Sequence, residues 1–297
     1  MSMERDLSSV VTWRTLLTET IDVLAERPQA RWLCEAACGL QGDEFLAELD
    51  EPATQRMVSQ LDAMVARYRS GEPLAYVLGS WSFRTLDLMI DKRVLIPRPE
   101  TELVAGRAIE LARSFTESRC VVDLGTGSGA IGLSMAAELS IVDTQVWLTD
   151  NSLDALNVAS ANAAGLGRAG ANVRFALGTW FEALSREMPE DLHGQVQVIV
   201  SNPPYIADDD REVHESVLEW EPHAALFAGN DGLDDVRVII NGAREWLCPS
   251  GWLVLEIGYK QGEAVSALMR QAGFVDVSVG DDLSGRQRFV EGRHPSA

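Results

Sequence analysis

The run Val121-Val122-Asp123-Leu124-Gly125-Thr126-Gly127-Ser128-Gly129-Ala130-Ile131-Gly132 constrains the fold more than any other stretch of the chain. Its opening residues are mostly apolar and suit a buried strand. The glycines that follow permit backbone angles closed to other residues and let a ligand approach the main chain. Ala130 to Leu139 then has the length and composition of a buried helix. A strand, a glycine turn and a helix in that order open a βαβ unit, and the pattern repeats after Pro99. Strands are expected at Cys120–Leu124, Gln145–Thr149, Val173–Ala176, Val196–Ser201, Trp252–Ile257, Phe274–Val279 and Arg288–Glu291. Helices are expected at Ala130–Leu139, Leu153–Ala164, Asp234–Leu247 and Glu263–Ala272. That rhythm predicts an α/β fold, a doubly wound and mostly parallel sheet with helices on both faces. Ligands bind such sheets beyond the carboxyl ends of the strands.

The first part of the chain reads differently. Residues 1–75 carry helical spacing without strand signals, in stretches around Thr12–Leu24, Ala30–Ala37, Asp43–Leu49 and Pro52–Tyr68. They predict a small all-α domain. Residues 76–98 read as a β-hairpin link, with Trp81–Leu88 as one strand and Ile90–Ile96 as its partner. Residues 99–297 form the α/β domain. A chain of 297 residues that is 46% hydrophobic has enough apolar material for both.

Composition narrows the function classes. The net charge of −20 argues against a protein that grips naked duplex, although Arg67, Arg69, Arg84, Lys92, Arg93 and Arg98 lie within one region. Cys34, Cys38, Cys120 and Cys248 make no metal pattern and read as buried thiols of a reducing compartment. The histidines at 193, 214, 223 and 294 are scattered. No apolar run approaches the roughly 20 residues of a membrane span, and Met1 to Val11 lacks the apolar core of a secretory signal. The chain is expected to be soluble, cytoplasmic, monomeric, and in contact with neither membrane nor nucleic acid.

Gly127, Gly129 and Gly132 satisfy the dinucleotide pattern G-x-G-x-x-G, so a nicotinamide cofactor has to be weighed. Asp123, two residues before the first glycine, favours S-adenosylmethionine instead. A carboxylate there meets a cationic amino-acid end and repels a pyrophosphate. Asp150, at the end of the next strand, is placed to accept from ribose hydroxyls, which both cofactors have. The second motif is Ser201-Asn202-Pro203-Pro204-Tyr205-Ile206, closing the buried strand Val196–Ser201. Two prolines stiffen this loop and remove two amide donors. The Asn202 side-chain oxygen and the Pro203 carbonyl can then accept the two N–H groups of a planar NH2, orienting it and stabilising positive charge that develops on nitrogen. Tyr205 offers a flat face to the same acceptor.

Together these residues resemble the HemK/PrmC family of protein-glutamine methyltransferases. The likeness extends through Gly71-Glu72-Pro73-Leu74-Ala75-Tyr76, Leu95-Ile96-Pro97-Arg98-Pro99-Glu100-Thr101-Glu102, Trp180-Phe181, Glu221-Pro222, Asp231-Gly232-Leu233, Leu255-Glu256-Ile257-Gly258 and Gln261-Gly262. The family's fold is the class I, Rossmann-like methyltransferase domain. Its members modify the glutamine of the Gly-Gly-Gln motif in peptide-chain release factors, and their helical amino-terminal domain helps dock that partner. By this likeness Gly125, Thr126, Gly127, Ser128, Gly129, Asp150, Trp180 and Asn202 contact the cofactor, and Asn202, Pro203, Pro204 and Tyr205 hold the glutamine. Trp180 by itself reads as a core residue. Pro97–Glu102 is expected beside the site, in docking or in loop order. Trp220 stands where family members often carry tyrosine. Asn-Pro-Pro-Tyr also serves adenine and guanine amine methyltransferases, so a nucleobase acceptor is the alternative. A non-catalytic adaptor with the same fold is a further one.

Overall fold

Thr12 and Thr54 each turn a side-chain oxygen onto a backbone N–H three residues on, and each starts a helix of the first unit. The computed structural model describes residues 11–210 and 215–296. The reading of the amino terminus falls outside these residues up to Val10, as does His214. The chain divides into two compact units between Ser80 and Trp81.

The first unit holds α1 (Trp13–Leu24), α2 (Arg27–Cys38), α3 (Gly42–Ala47), α4 (Gln55–Arg69) and α5 (Leu74–Leu78). Each helix buries one apolar stripe, and the stripes converge on Leu16, Leu33, Phe45, Val58 and Leu61. Trp13 meets Phe45 edge-on, with ring centroids 5.9 Å apart. Pro28 sits in the first turn of α2, where its missing N–H costs nothing, so it opens a helix rather than breaking one. Tyr76, expected in the hairpin link, lies in α5.

The hairpin β1 (Ser80–Phe83) and β2 (Leu86–Met89) comes next, all but its first residue in the second unit. This corrects the expected pairing. The strand read as Trp81–Leu88 is folded in half at Arg84, which takes a φ of 53°. Arg84 is held there by its own N–H on the Glu102 carboxylate and by two guanidinium bonds to Glu138, at 2.7 and 2.9 Å. Ile90–Ile96 is a loop, not a strand. Ile90, Val94 and Ile96 are buried because the loop lies across the unit, which gives a strand-like alternation without a ladder.

Then follow α6 (Thr101–Arg113), β3 (Arg119–Leu124), α7 (Ala130–Glu138), β4 (Thr144–Asp150), α8 (Leu153–Gly165), β5 (Val173–Leu177), α9 (Phe181–Glu187), β6 (Val196–Ser201), α10 (Glu215–Trp220), α11 (Asp234–Trp246), β7 (Leu247–Glu256), α12 (Gly262–Gln271), β8 (Val275–Asp281) and β9 (Gln287–Arg293). Every strand expected after Pro99 is present, to within five residues at each end. The sheet has seven strands in the order β5-β4-β3-β6-β7-β9-β8, with β3 to β7 parallel and β9 antiparallel to both neighbours. The central strands β3 and β6 are buried on both faces, as their largely apolar sequence requires. The α/β prediction holds, with a small helical unit before it. Among the described residues no helix is long and apolar enough to cross a membrane.

Helix α6 escaped the sequence reading. It packs against β6 and β7, and Arg107 on it makes two bonds, at 2.6 and 2.8 Å, to the Glu291 carboxylate of β9. Glu291 is only 5% exposed, so removing the guanidinium leaves a buried charge with Ser278 as its remaining donor. Arg107→Ala should lower the unfolding free energy by about 3 kcal/mol. Pairing it with Glu291→Leu should recover much of the loss, which urea titration of both variants measures.

Candidate active site

The strand order changes direction between β3 and β6. From β3 the chain steps outward through β4 to β5, then returns to place β6 on the other side of β3. In such sheets this switch point splays the following loops apart and opens a crevice. Leu124 pairs with Ser201 there, and the Ser201 hydroxyl donates to the Leu124 carbonyl at 2.6 Å. The glycine turn and the Asn-Pro-Pro-Tyr loop therefore leave the sheet side by side.

A cavity of about 280 Å³ occupies the crevice. Asp123, Gly125, Thr126, Gly127, Ser128, Asp150, Trp180, Asn202 and Pro204 all line it. A second cavity, of about 500 Å³, lies beyond Asn202 and is lined by Asn202 and Tyr205 among others. Asn202 is the expected site residue common to both. Gly129 and Pro203 line neither cavity. Gly129 instead takes a φ of 88° before α7, where a Cβ would come within 2.7 Å of Leu133. Pro203 is buried within its loop.

Asp123 is 1% exposed. Its Oδ2 accepts from the Thr126 hydroxyl at 2.6 Å and the Gly132 N–H at 2.9 Å, while Oδ1 is buried without a partner. Burial pushes this carboxyl up to about 7, against those two hydrogen bonds, with the Asp150 charge adding to the rise. Asp150 is raised as well, chiefly by burial. Its oxygens accept from the N–H groups of Gly127 and Ser152, at 2.9 Å each, so it shapes the glycine turn and keeps lone pairs for another donor. Two carboxylates raised together in one crevice favour a cationic ligand, which relieves both.

Trp180 combines a place on the core with a place on the cavity wall. Its ring packs on the core and also faces the cavity, close enough that a Cβ at Gly125 would lie 3.2 Å from it. The residue adopts a φ of 46° and donates its indole N–H to Asp235 at 3.1 Å. Backbone strain of this kind collects at functional sites.

Asn202 has a buried Oδ1 with no partner, and its Nδ2 donates to the Thr101 hydroxyl at 3.5 Å. The loop behind it is fixed from two directions. The Gln261 amide donates to the Tyr205 carbonyl at 3.0 Å, and the Tyr205 hydroxyl donates to Glu256 at 3.4 Å. Burial raises the Tyr205 phenol above its usual range. Buried Glu221 accepts from the Ile96 N–H at 3.0 Å and from the Arg98 guanidinium. Arg98 lines the second cavity, and Pro97 and Thr101 the first, so the proline-rich segment does border the site.

Roles for Asp235, Gln261, Glu221 and Glu256 were not read from the sequence. Asp235 looks like an ordinary acid in the first turn of a helix. The other three stood only within matched motifs. Among the described residues no cluster of His, Cys, Asp and Glu could hold a metal ion.

Residues 107–222 match the family model of the methyltransferase small domain, and residues 12–79 that of the PrmC N-terminal domain. The second unit is thus a methyltransferase domain. A protein of Xylella fastidiosa, named release factor glutamine methyltransferase, is 42% identical over 97% of this chain and 99% of its own length. Proteins of the same name from Burkholderia pseudomallei and Salmonella typhimurium are 41% and 39% identical, each over 90% of this chain and over 91% and 92% of their own. The chain belongs to the release factor glutamine methyltransferase family. A solved protein-(glutamine-N5) methyltransferase from Alicyclobacillus acidocaldarius covers 67% of this chain and is itself covered to 94%, at 25% identity and a TM-score of 0.41. That likeness is loose, and membership rests on the sequence relatives.

The raised Asp123 carboxyl has a consequence for the ligand-free protein. Between the unfolded value near 3.9 and about 7, the folded chain holds a proton that the unfolded chain has released. Stability therefore falls as pH rises through that window. Asp123→Asn should flatten the slope by up to about 1.4 kcal/mol per pH unit, measured by denaturant titration at pH 5, 6 and 7.

Proposed function

We propose that this protein transfers a methyl group from S-adenosylmethionine to the side-chain amide nitrogen of the Gly-Gly-Gln glutamine in peptide-chain release factors, leaving S-adenosylhomocysteine. The single observation that carries the reading is the buried, unpartnered Asn202 Oδ1 at the boundary of the two cavities. An acceptor atom without a donor, beside a cationic-ligand site, suits an incoming N–H. The names of the relatives supply the substrate.

The residues of the first cavity fit the cofactor. Asp123 Oδ1 has an open valence for an ammonium group, and Asp150 retains lone pairs for ribose hydroxyls. Gly125, Thr126, Gly127 and Ser128 offer a close main-chain wall, and Trp180 a flat one. When bound, the cofactor supplies an electrophilic methyl carried on a sulfonium. The protein's task lies with the other reactant. An amide nitrogen is a poor nucleophile because its lone pair is delocalised into the carbonyl. Asn202 Oδ1 and the Pro203 carbonyl accept its two N–H bonds, hold it in line and oppose the charge that grows on nitrogen. Pro204 stiffens the loop, and Tyr205 packs against the planar amide. The proton leaves after transfer, so no strong base is required.

The first unit serves to dock the release factor, and the chain works as a cytoplasmic monomer without direct contact with nucleic acid.

The test is transfer of labelled methyl to purified, unmodified release factor, with a control in which the Gly-Gly-Gln glutamine is replaced. Label should enter the intact factor and not the control. Label in neither, with cofactor binding confirmed by calorimetry, would move the acceptor to a nucleobase amine. In the same assay Asn202→Ala should bind the cofactor yet lose about 3–4 kcal/mol of barrier lowering, a fall in turnover of several hundredfold. Full activity in that variant would remove Asn202 from the mechanism.

A further inference from the structure

The two cavities beside Asn202 are separate spaces, and among the described residues only Leu95, Asn202 and Ala225 line both. Those three side chains mark the passage from one to the other. In the proposed reaction the cofactor lies in the first cavity, and the acceptor nitrogen has to come within about 3–3.5 Å of the methyl carbon. A partner protein that approaches through the second cavity must therefore send its amide through this passage.

Three separate segments meet there, and main-chain bonds tie them together. Leu95 precedes Ile96, whose N–H donates to the Glu221 carboxylate at 3.0 Å. Glu221 is buried and leads into Pro222, whose carbonyl accepts from the Ala225 N–H at 2.9 Å and closes the short turn His223–Ala225. The carbonyl of the next residue, Leu226, accepts from the Ile206 N–H at 3.0 Å, which joins that turn to the loop carrying Asn202. With the main chain held on each side, side-chain bulk decides how wide the passage is. Ala225 is the smallest of the three, so a larger residue there has the most room to close.

The passage is also chemically uneven. Asn202 brings an acceptor oxygen without a partner, whereas Leu95 and Ala225 bring only hydrocarbon. One N–H is satisfied at Asn202. Any other polar atom pressed against Leu95 or Ala225 loses water without gaining a partner, at a cost of about 1–3 kcal/mol. An unbranched side chain ending in an amide lays methylenes along these walls. A nucleobase amine is flanked by ring nitrogens and lays those there instead.

We infer that Leu95 and Ala225 are specificity-determining residues, the hydrocarbon sides of a passage that admits a slender amide-bearing side chain and bars a flat heterocycle. This rests on the function proposed above. It gives a task to two residues that neither the glycine turn nor the Asn-Pro-Pro-Tyr motif contains.

The test moves bulk from one wall to the other. Ala225→Leu should lower kcat/KM for release-factor methylation by about 100-fold, the size of a misplaced reactant, with Ala225→Val falling between it and wild type. Binding of S-adenosylhomocysteine, read by calorimetry, should be unchanged in both variants, which also shows that they fold. Leu95→Ala leaves the acceptor loosely held and should cost about tenfold. Combined with Ala225→Leu it should win back about tenfold of the larger loss, since two walls of one passage are coupled. Wild type should place no label on a single-stranded oligonucleotide containing adenine.

A wild-type rate in Ala225→Leu would overturn the inference and leave the proposed function standing. So would parallel loss of S-adenosylhomocysteine binding, which makes Ala225 a wall of the cofactor cavity alone. A double variant no faster than Ala225→Leu, or label entering both the release factor and the oligonucleotide, would have the same force. A wild-type enzyme that methylates no release factor would overturn the function and this inference together.

Discussion

The parallel pairing of β3 with β6 is the constraint on which the site depends. Without it the glycine turn and the Asn-Pro-Pro-Tyr loop, separated by more than seventy residues of chain, would have no reason to meet. The register Leu124–Ser201 and the hydroxyl bond between those residues set the two loops against each other at the one place where the sheet opens. The pairing is strong because both strands are apolar along nearly their whole length and are covered on both faces. In the proposed function, chemistry falls to the residues immediately past the ends of these strands, beside the crevice.

At those positions the protein departs from the rule that buried polar atoms are satisfied. Asp123 Oδ1, Asn202 Oδ1 and Glu256 Oε2 are all buried without partners, within a few residues of strand ends. Each such atom costs about 1–3 kcal/mol. The surrounding unit absorbs this through bonds that hold the loops regardless of ligand. Gln261 and Glu256 fix Tyr205, Glu221 fixes Ile96 and Arg98, and Asp235 fixes Trp180. Preorganisation of this kind means that a ligand completes valences already aimed at it and need not reshape the site. Burial in the same crevice raises the carboxyls of both Asp123 and Asp150.

Much of this was legible in the sequence, for physical reasons. Central parallel strands are short apolar runs, and glycines with positive φ stand where a turn demands them, so the sheet and the glycine turn could be read directly. The Asn-Pro-Pro-Tyr loop stood out because two prolines after a buried strand are chemically pointed. Misreadings came where tertiary contact imitates local pattern. Ile90, Val94 and Ile96 alternate like a strand because a loop is pressed onto the unit. Helix α6 was hidden behind Pro97 and Pro99, which read as loop. The supporting bonds could not be read at all, since Ile96 meets Glu221 across 125 positions and Trp180 meets Asp235 across 55. No periodicity reports a contact at that separation. Family likeness marked Glu221, Glu256 and Gln261 without saying what they touch.

The central claim of the proposed function is that an amide nitrogen is recognised by an acceptor pair, the Asn202 side-chain oxygen and the Pro203 carbonyl, beside the crevice. A crystal structure of the protein with S-adenosylhomocysteine and a peptide bearing the Gly-Gly-Gln sequence tests it most directly. The account predicts the glutamine amide nitrogen within about 2.7–3.2 Å of both Asn202 Oδ1 and the Pro203 carbonyl oxygen, at hydrogen-bond distance. A glutamine bound with its nitrogen away from both atoms, and Asn202 turned to the cofactor alone, would contradict it.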